Sequence, residues 1–139
     1  MNTLRQLSVF AENKPGRIEK ITKTLADAGI NILAISITTT TEGFGAIKFI
    51  VDNSELALNT LKHNGFTATL NEVLGIKLQD RPGGLYSVTT LLTKNNINIE
   101  NAHVFVDGHR EKAYLLIEVE NLADAKERLS REGLLFYPE

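Results

Sequence analysis

Glu12–Ile32 reads ENKPGRIEKITKTLADAGINI, and Gln79–Ile99 reads QDRPGGLYSVTTLLTKNNINI. A shift of 67 residues lays the first stretch on the second. Lys14-Pro15-Gly16 then falls on Arg81-Pro82-Gly83, and Ile30-Asn31-Ile32 on Ile97-Asn98-Ile99. Leu7, Thr22 and Leu25 meet Leu74, Thr89 and Leu92. Composition alone would give roughly two identities in such a window, so the eight found mark an internal duplication. Both copies keep a Pro-Gly loop and the helix start behind it, so a site built there comes in two versions.

Working outward, each copy reads strand, helix, strand, strand, helix, strand. Leu7, Val9 and Ala11 alternate with Gln6, Ser8 and Phe10, which is a strand pattern. Pro15 opens a helix, where its missing N–H costs nothing. Ile18, Ile21, Leu25 and Ala28 share one helical face, and Gly29 stops the helix in a left-handed cap. Residues 32–40 and Ala46–Val51 are strands around a Glu42–Gly45 turn. Ser54 caps a helix carrying Leu58 and Leu61, Gly65 ends it, and Phe66–Leu70 is the fourth strand.

The second copy places Leu85, Val88 and Leu92 inward and gives Asn96 the role of Gly29. Strands follow at Ile99–Val106 and Ala113–Val119 around an Asp107-Gly108 turn. Asn121 caps the last helix, Gly133 ends it, and Leu134–Tyr137 is a short final strand. This βαββαβ order predicts an α+β fold: two ferredoxin-like units packed side by side, each an antiparallel sheet with helices on one face. The boundary falls at 1–71 and 72–139, with no linker between. Tyr114-Leu115-Leu116-Ile117 is apolar on both faces, where a half-exposed strand should alternate. Two readings fit: a second chain covers this face of the second unit, or the apolar residues are simply scattered over the surface.

Composition excludes several classes of function. The chain has 139 residues, 15 basic and 17 acidic, for a net charge of -2. No basic field is present to hold a nucleic-acid backbone or an anionic membrane. No stretch approaches the roughly 20 apolar residues of a membrane span, and the N-terminus lacks a signal-peptide core, so the expected compartment is the cytoplasm. Cysteine is absent, which removes disulfides, thiol chemistry and Cys-ligated metals. His63, His103 and His109 are not paired at metal-ligand spacing, so neither a metal nor another cofactor is expected.

The strand-to-helix loops carry the chemistry. A helix N-terminus with unpaired N–H groups suits a carboxylate, Gly16 or Gly83 admits close approach to the backbone, and Asn13 or Asp80 can accept from an ammonium. Together these groups suit an α-amino acid, while Pro-Gly also starts a helix with no ligand involved. Asn31 and Asn98 follow a helix stop, where asparagine also serves simple turn chemistry.

The pattern of strand, Lys/Arg-Pro-Gly, amphipathic helix, Gly/Asn and Ile-Asn-Ile resembles the ACT domain, twice over. It covers essentially the whole chain, which looks like a stand-alone tandem ACT-domain protein. The resemblance implies a regulatory protein, not an enzyme, that binds a free amino acid between paired units and acts on a separate enzyme or transporter. It implies a homodimer, with ligand-binding positions at Asn13, Gly16, Arg17, Asp80, Gly83, Gly84 and Leu85. Asn31 and Asn98 would contribute from the second strand. Arg17 in one loop is Gly84 in the other, so the two loops should differ in room and charge. The Gly84 loop is favoured for its space and for the charge of Asp80.

Two other functions share this topology. An acylphosphatase-like hydrolase would use Arg17 or Arg81 for phosphate, but the closely spaced glycines and aromatic-arginine pair of that loop are missing. RNA binding through the sheet would need exposed aromatics, for which only Phe10 and Phe105 are on offer. A regulatory subunit that binds no ligand is the further alternative.

Overall fold

The computed structural model describes residues 4–40, 42–106 and 112–137. The chain divides into two compact units, one holding Arg5–Asn71, the other Leu4 and the chain from Glu72. The first contains β1 (Leu4–Glu12), α1 (Arg17–Asp27), β2 (Ile32–Thr39), β3 (Phe44–Val51) and α2 (Ser54–His63). β4 (Thr67–Leu78) is one unbroken strand that closes the first unit and opens the second. There follow α3 (Gly84–Lys94), β5 (Asn101–Val106), β6 (Ala113–Glu118), α4 (Leu122–Arg131) and β7 (Phe136–Tyr137). The strand order is β2-β3-β1-β4 in the first unit and β5-β6-β4-β7 in the second. The resolved registers are antiparallel: Leu7 faces Phe49, and Leu74 faces Ile117.

Each unit has its own core on the helix-bearing face of its sheet. Ile21 and Leu25 of α1 and Ala57 and Leu61 of α2 bury against Leu7, Val9, Ile47 and Phe49. Val88 and Leu92 of α3 and Ala125 and Leu129 of α4 bury against Leu74, Ile76, Leu115 and Ile117. Each full burial of such a side chain contributes about 1.5–3 kcal/mol, which gives a unit of this size its stability.

Several details correct the sequence reading. Asn53, not Ser54, caps α2, its side chain accepting from the Leu56 N–H at 3.1 Å. Ser54 is the first helical residue. Phe66–Leu70 is not a separate strand, because β4 begins at Thr67 and runs on to Leu78. β5 starts at Asn101 rather than Ile99, and β7 is confined to Phe136–Tyr137. The Asp107-Gly108 turn and His109 lie outside the described residues.

Leu85 does not point inward; it is 46% exposed. The buried series on α3 is Gly84, Val88 and Leu92, a four-residue repeat that turns Leu85 roughly 100° off the core direction.

Neither a covering chain nor scattered surface residues accounts for Tyr114–Ile117. Tyr114 and Leu116 are each 1% exposed within the single chain. They lie on the face opposite the helices, since Leu115 and Ile117 are in the core. On that face Tyr114 meets Phe105 (ring centroids 5.6 Å apart) and Tyr137 (4.7 Å), an aromatic cluster internal to the second unit. Gly75 opposite Leu116 and Tyr137 lets them close in, because a Cβ there would stand 3.2 Å from both.

Candidate functional site

The two Pro-Gly loops are built alike. In the first, the Lys14 N–H donates to the Glu12 carbonyl and Arg17 N–H to the Lys14 carbonyl. In the second, Arg81 N–H donates to Gln79 and Gly84 N–H to Arg81. Gly16 and Gly83 then turn left-handed, with φ of 89° and 85°, and hand the chain to α1 and α3. No side chain caps either helix, whereas Asn53 and Asn121 cap α2 and α4. The first-turn N–H groups at both loops are therefore not taken up by a capping side chain, an arrangement that suits an anion.

The loops differ at the next residue. A Cβ on Gly84 would fall on the Gln79 carbonyl oxygen. The missing side chain thus admits the loop's own backbone, whereas the first loop accommodates the Cβ of Arg17. Glu12 pairs with Lys14 at 2.7 Å, and the hydrogen bond and charge of Lys14, with the charge of Arg17, hold its carboxyl below the usual range.

A cleft opens beside each loop. In the second unit it measures about 450 Å³ and lies between the β4–α3 loop and the α4–β7 segment, against Lys77, Arg81, Gly84, Ser87, Leu134 and Leu135. In the first unit the corresponding cleft, about 230 Å³, lies against Phe10, Glu12, Arg17, Phe44 and Phe66. Of the sequence-predicted residues, Arg17 and Gly84 line these clefts. Asn13, Gly16, Asp80, Gly83 and Leu85 are exposed close by in the loops but are not in the linings.

Asn98 is elsewhere, in a depression with Glu100, Glu120 and Asp124. It follows the C-terminal end of α3, and the 11 residues of that helix put it about 16 Å from the loop. Asn31 is the first unit's counterpart, its backbone N–H donating to Asp52 Oδ1 at 3.0 Å. Within one unit, then, the asparagines and the loop do not converge.

Lys77, Ser87 and Leu134–Leu135 were not singled out from sequence. The detectable signal was the alignment of Gly133 on Gly65, which brings the segment after the last helix beside the loop in both copies. Phe105, one of the two aromatics offered to RNA, is 4% exposed within its cluster, leaving Phe10 at 50%. Among the described residues no group of three or more His, Asp or Glu side chains is placed to hold a metal.

A family model described as an ACT domain pair matches residues 2–139. The chain belongs to the ACT-domain family. Protein BT0572 from Bacteroides thetaiotaomicron is 32% identical to this ACT pair, with a TM-score of 0.86 over 96% of this chain and 92% of that one. The ligand-free regulatory subunit of aspartate kinase from Thermus thermophilus shares the fold at 19% identity, with a TM-score of 0.62 over 92% and 91% of the two chains. The corresponding subunit from Thermus flavus stands at 18% and 0.61, over 94% and 90%. No curated protein matches the ACT pair by sequence. No helix among its described residues is long and apolar enough to cross a membrane.

Proposed function

We propose that this ACT pair is a non-catalytic sensor of the cytoplasm that binds a free amino acid and passes its occupancy to a separate enzyme or transporter. The observation that carries the reading is the cleft at the β4–α3 loop, where the uncapped start of α3 meets a cavity of ligand size. The pairing of copies into a homodimer is part of the proposal. It is supported by β2, a sheet edge that exposes Ile35 and Ile37 at 46% and 52%. Through such pairing Asn31 or Asn98 of one copy would approach a loop of the other. Coupling to the regulated protein requires that the ligand favour one packing state over another.

The test is a thermal-shift panel of the twenty amino acids, followed by calorimetry. A ligand at 100 times its Kd adds about 2.7 kcal/mol to stability. One or a few amino acids should raise the melting temperature, with stoichiometry reporting whether one loop or both are used. A flat panel from folded protein would overturn the amino-acid reading and favour a regulatory subunit that binds no ligand.

A further inference from the structure

Three of the chain's six phenylalanines, Phe10, Phe44 and Phe66, line the first unit's cleft. Ala11 packs against the core, so Phe10 and Glu12 turn to the opposite face of the sheet. Phe44 stands opposite Glu12 in the β1–β3 register and shares that face. It lies diagonal to Phe10, a separation that aromatic side chains bridge. Both rings are exposed, and Phe66, itself packed against the core, completes the aromatic lining. Glu12 and Arg17 bring opposite charges to the same cleft without pairing with each other. Glu12 Oε2 holds Lys14, and the Arg17 guanidinium has no hydrogen-bonded partner among the described residues. None of these five side chains recurs in the second copy, where Lys77, Gln79, Gly84, Glu111 and Leu134 take the corresponding positions.

Accepting the reading of the chain as an amino-acid sensor, we infer that the first unit's cleft is a site for an aromatic amino acid, with its ring against Phe10 and Phe44, its carboxylate on Arg17 and its ammonium on Glu12. An arginine fork takes a carboxylate in two parallel charge-assisted hydrogen bonds. A carboxylate offers about four acceptor positions, so Glu12 serves Lys14 and a ligand ammonium together. The ligand's ring covers apolar surface that Phe10 and Phe44 leave open to water, and meets them offset or edge-on. The cleft of about 230 Å³ has room for it, since an apolar cavity of about 150 Å³ takes up benzene. An aromatic acid without the ammonium leaves Glu12 unserved, and an aromatic amine without the carboxylate leaves Arg17 so. The second copy has neither the rings nor the two charges at these positions, so each chain carries one such site.

The experiment is calorimetric titration of the full chain with phenylalanine, leucine, 3-phenylpropanoate and 2-phenylethylamine. Phenylalanine should bind once per chain, about tenfold or more tighter than leucine. It should also exceed the acid and the amine, each lacking one charge, by about tenfold or more. Exchanging both exposed rings, Phe10→Leu with Phe44→Leu, should bring phenylalanine down to the level of leucine, with circular dichroism unchanged. Arg17→Gln should weaken phenylalanine about tenfold and leave 2-phenylethylamine, which has no carboxylate, as it was. The comparison with the acid and the amine uses the unaltered chain and decides without either variant. Leucine binding as tightly as phenylalanine overturns the inference and leaves the amino-acid sensor standing. Either half-ligand matching phenylalanine overturns it too, as does phenylalanine binding that the ring exchange and Arg17→Gln both leave unchanged. Absence of binding by all twenty amino acids in the thermal-shift panel overturns both readings.

Discussion

Asn96 and Gly29 end equivalent helices with different residues. Gly29 has φ of 73°, and Asn96 has φ of 54°, the one non-glycine residue with positive φ among those described. Asparagine tolerates this region through local hydrogen bonding, but alanine pays for its Cβ. Asn96→Ala should lose about 1 kcal/mol in urea unfolding, while Asn96→Gly should match the parent protein to within a few tenths. Gly84 obeys a different constraint, a close contact rather than a dihedral. Gly84→Ala should cost about 1–3 kcal/mol and displace the β4–α3 loop, a combination readable as lower thermal stability with altered amide shifts at Gln79–Arg81. Gly83→Val is a poor probe of binding, because φ of 85° would strain any β-branched residue whether or not a ligand is bound there.

At the scale of the element, the four helices of the described residues start in two ways. α2 and α4 are capped by asparagine side chains that accept from Leu56 and Asp124 N–H groups at 3.1 Å. Asn53→Ala and Asn121→Ala should each remove about 1 kcal/mol, checked by equilibrium unfolding. α1 and α3 start from left-handed glycines without such caps. Their first helical N–H groups, of Arg17 and Gly84, donate instead to the Lys14 and Arg81 carbonyls, and α3 also exposes Leu85 and Tyr86 there. Periodicity assigned Leu85 to the core because it sits three residues before Val88. The choice between Gly84 and Leu85 as the buried position depends on helix rotation, which the contact between Gly84 and the Gln79 backbone sets.

For the whole molecule, the edge strands β2 of the first unit and β5 of the second have no outer neighbour among the described residues. Edge strands with unpaired backbone groups and apolar side chains invite pairing with another chain, and a charge there opposes it. If copies pair as proposed, Ile37→Lys on β2 should lower the sedimentation mass from dimer to monomer while circular dichroism stays unchanged. A dimer that persists would place the interface elsewhere. The face once assigned to a partner, around Tyr114 and Leu116, makes no such demand, since both are buried within the chain.

The duplication, the element order and the helix stops at Gly29, Gly65, Asn96 and Gly133 were legible in the sequence. They depend on local chemistry: hydrophobic period, proline's missing donor and the few residues that accept positive φ. The two loops were legible as candidate sites for the same reason. The walls of the clefts were not. Lys77 and Leu135 are 58 positions apart and meet only because β7 pairs with β4, where the Lys77 N–H donates to the Leu135 carbonyl at 2.8 Å. Nor could spacing reveal that the room beside Gly84 is taken by Gln79, or that Asn98 stands a helix length from the loop it was grouped with. Local patterns set which elements form and where they stop. Long-range strand pairing and helix rotation decided which side chains share a cavity, because those depend on contacts between residues far apart in the chain.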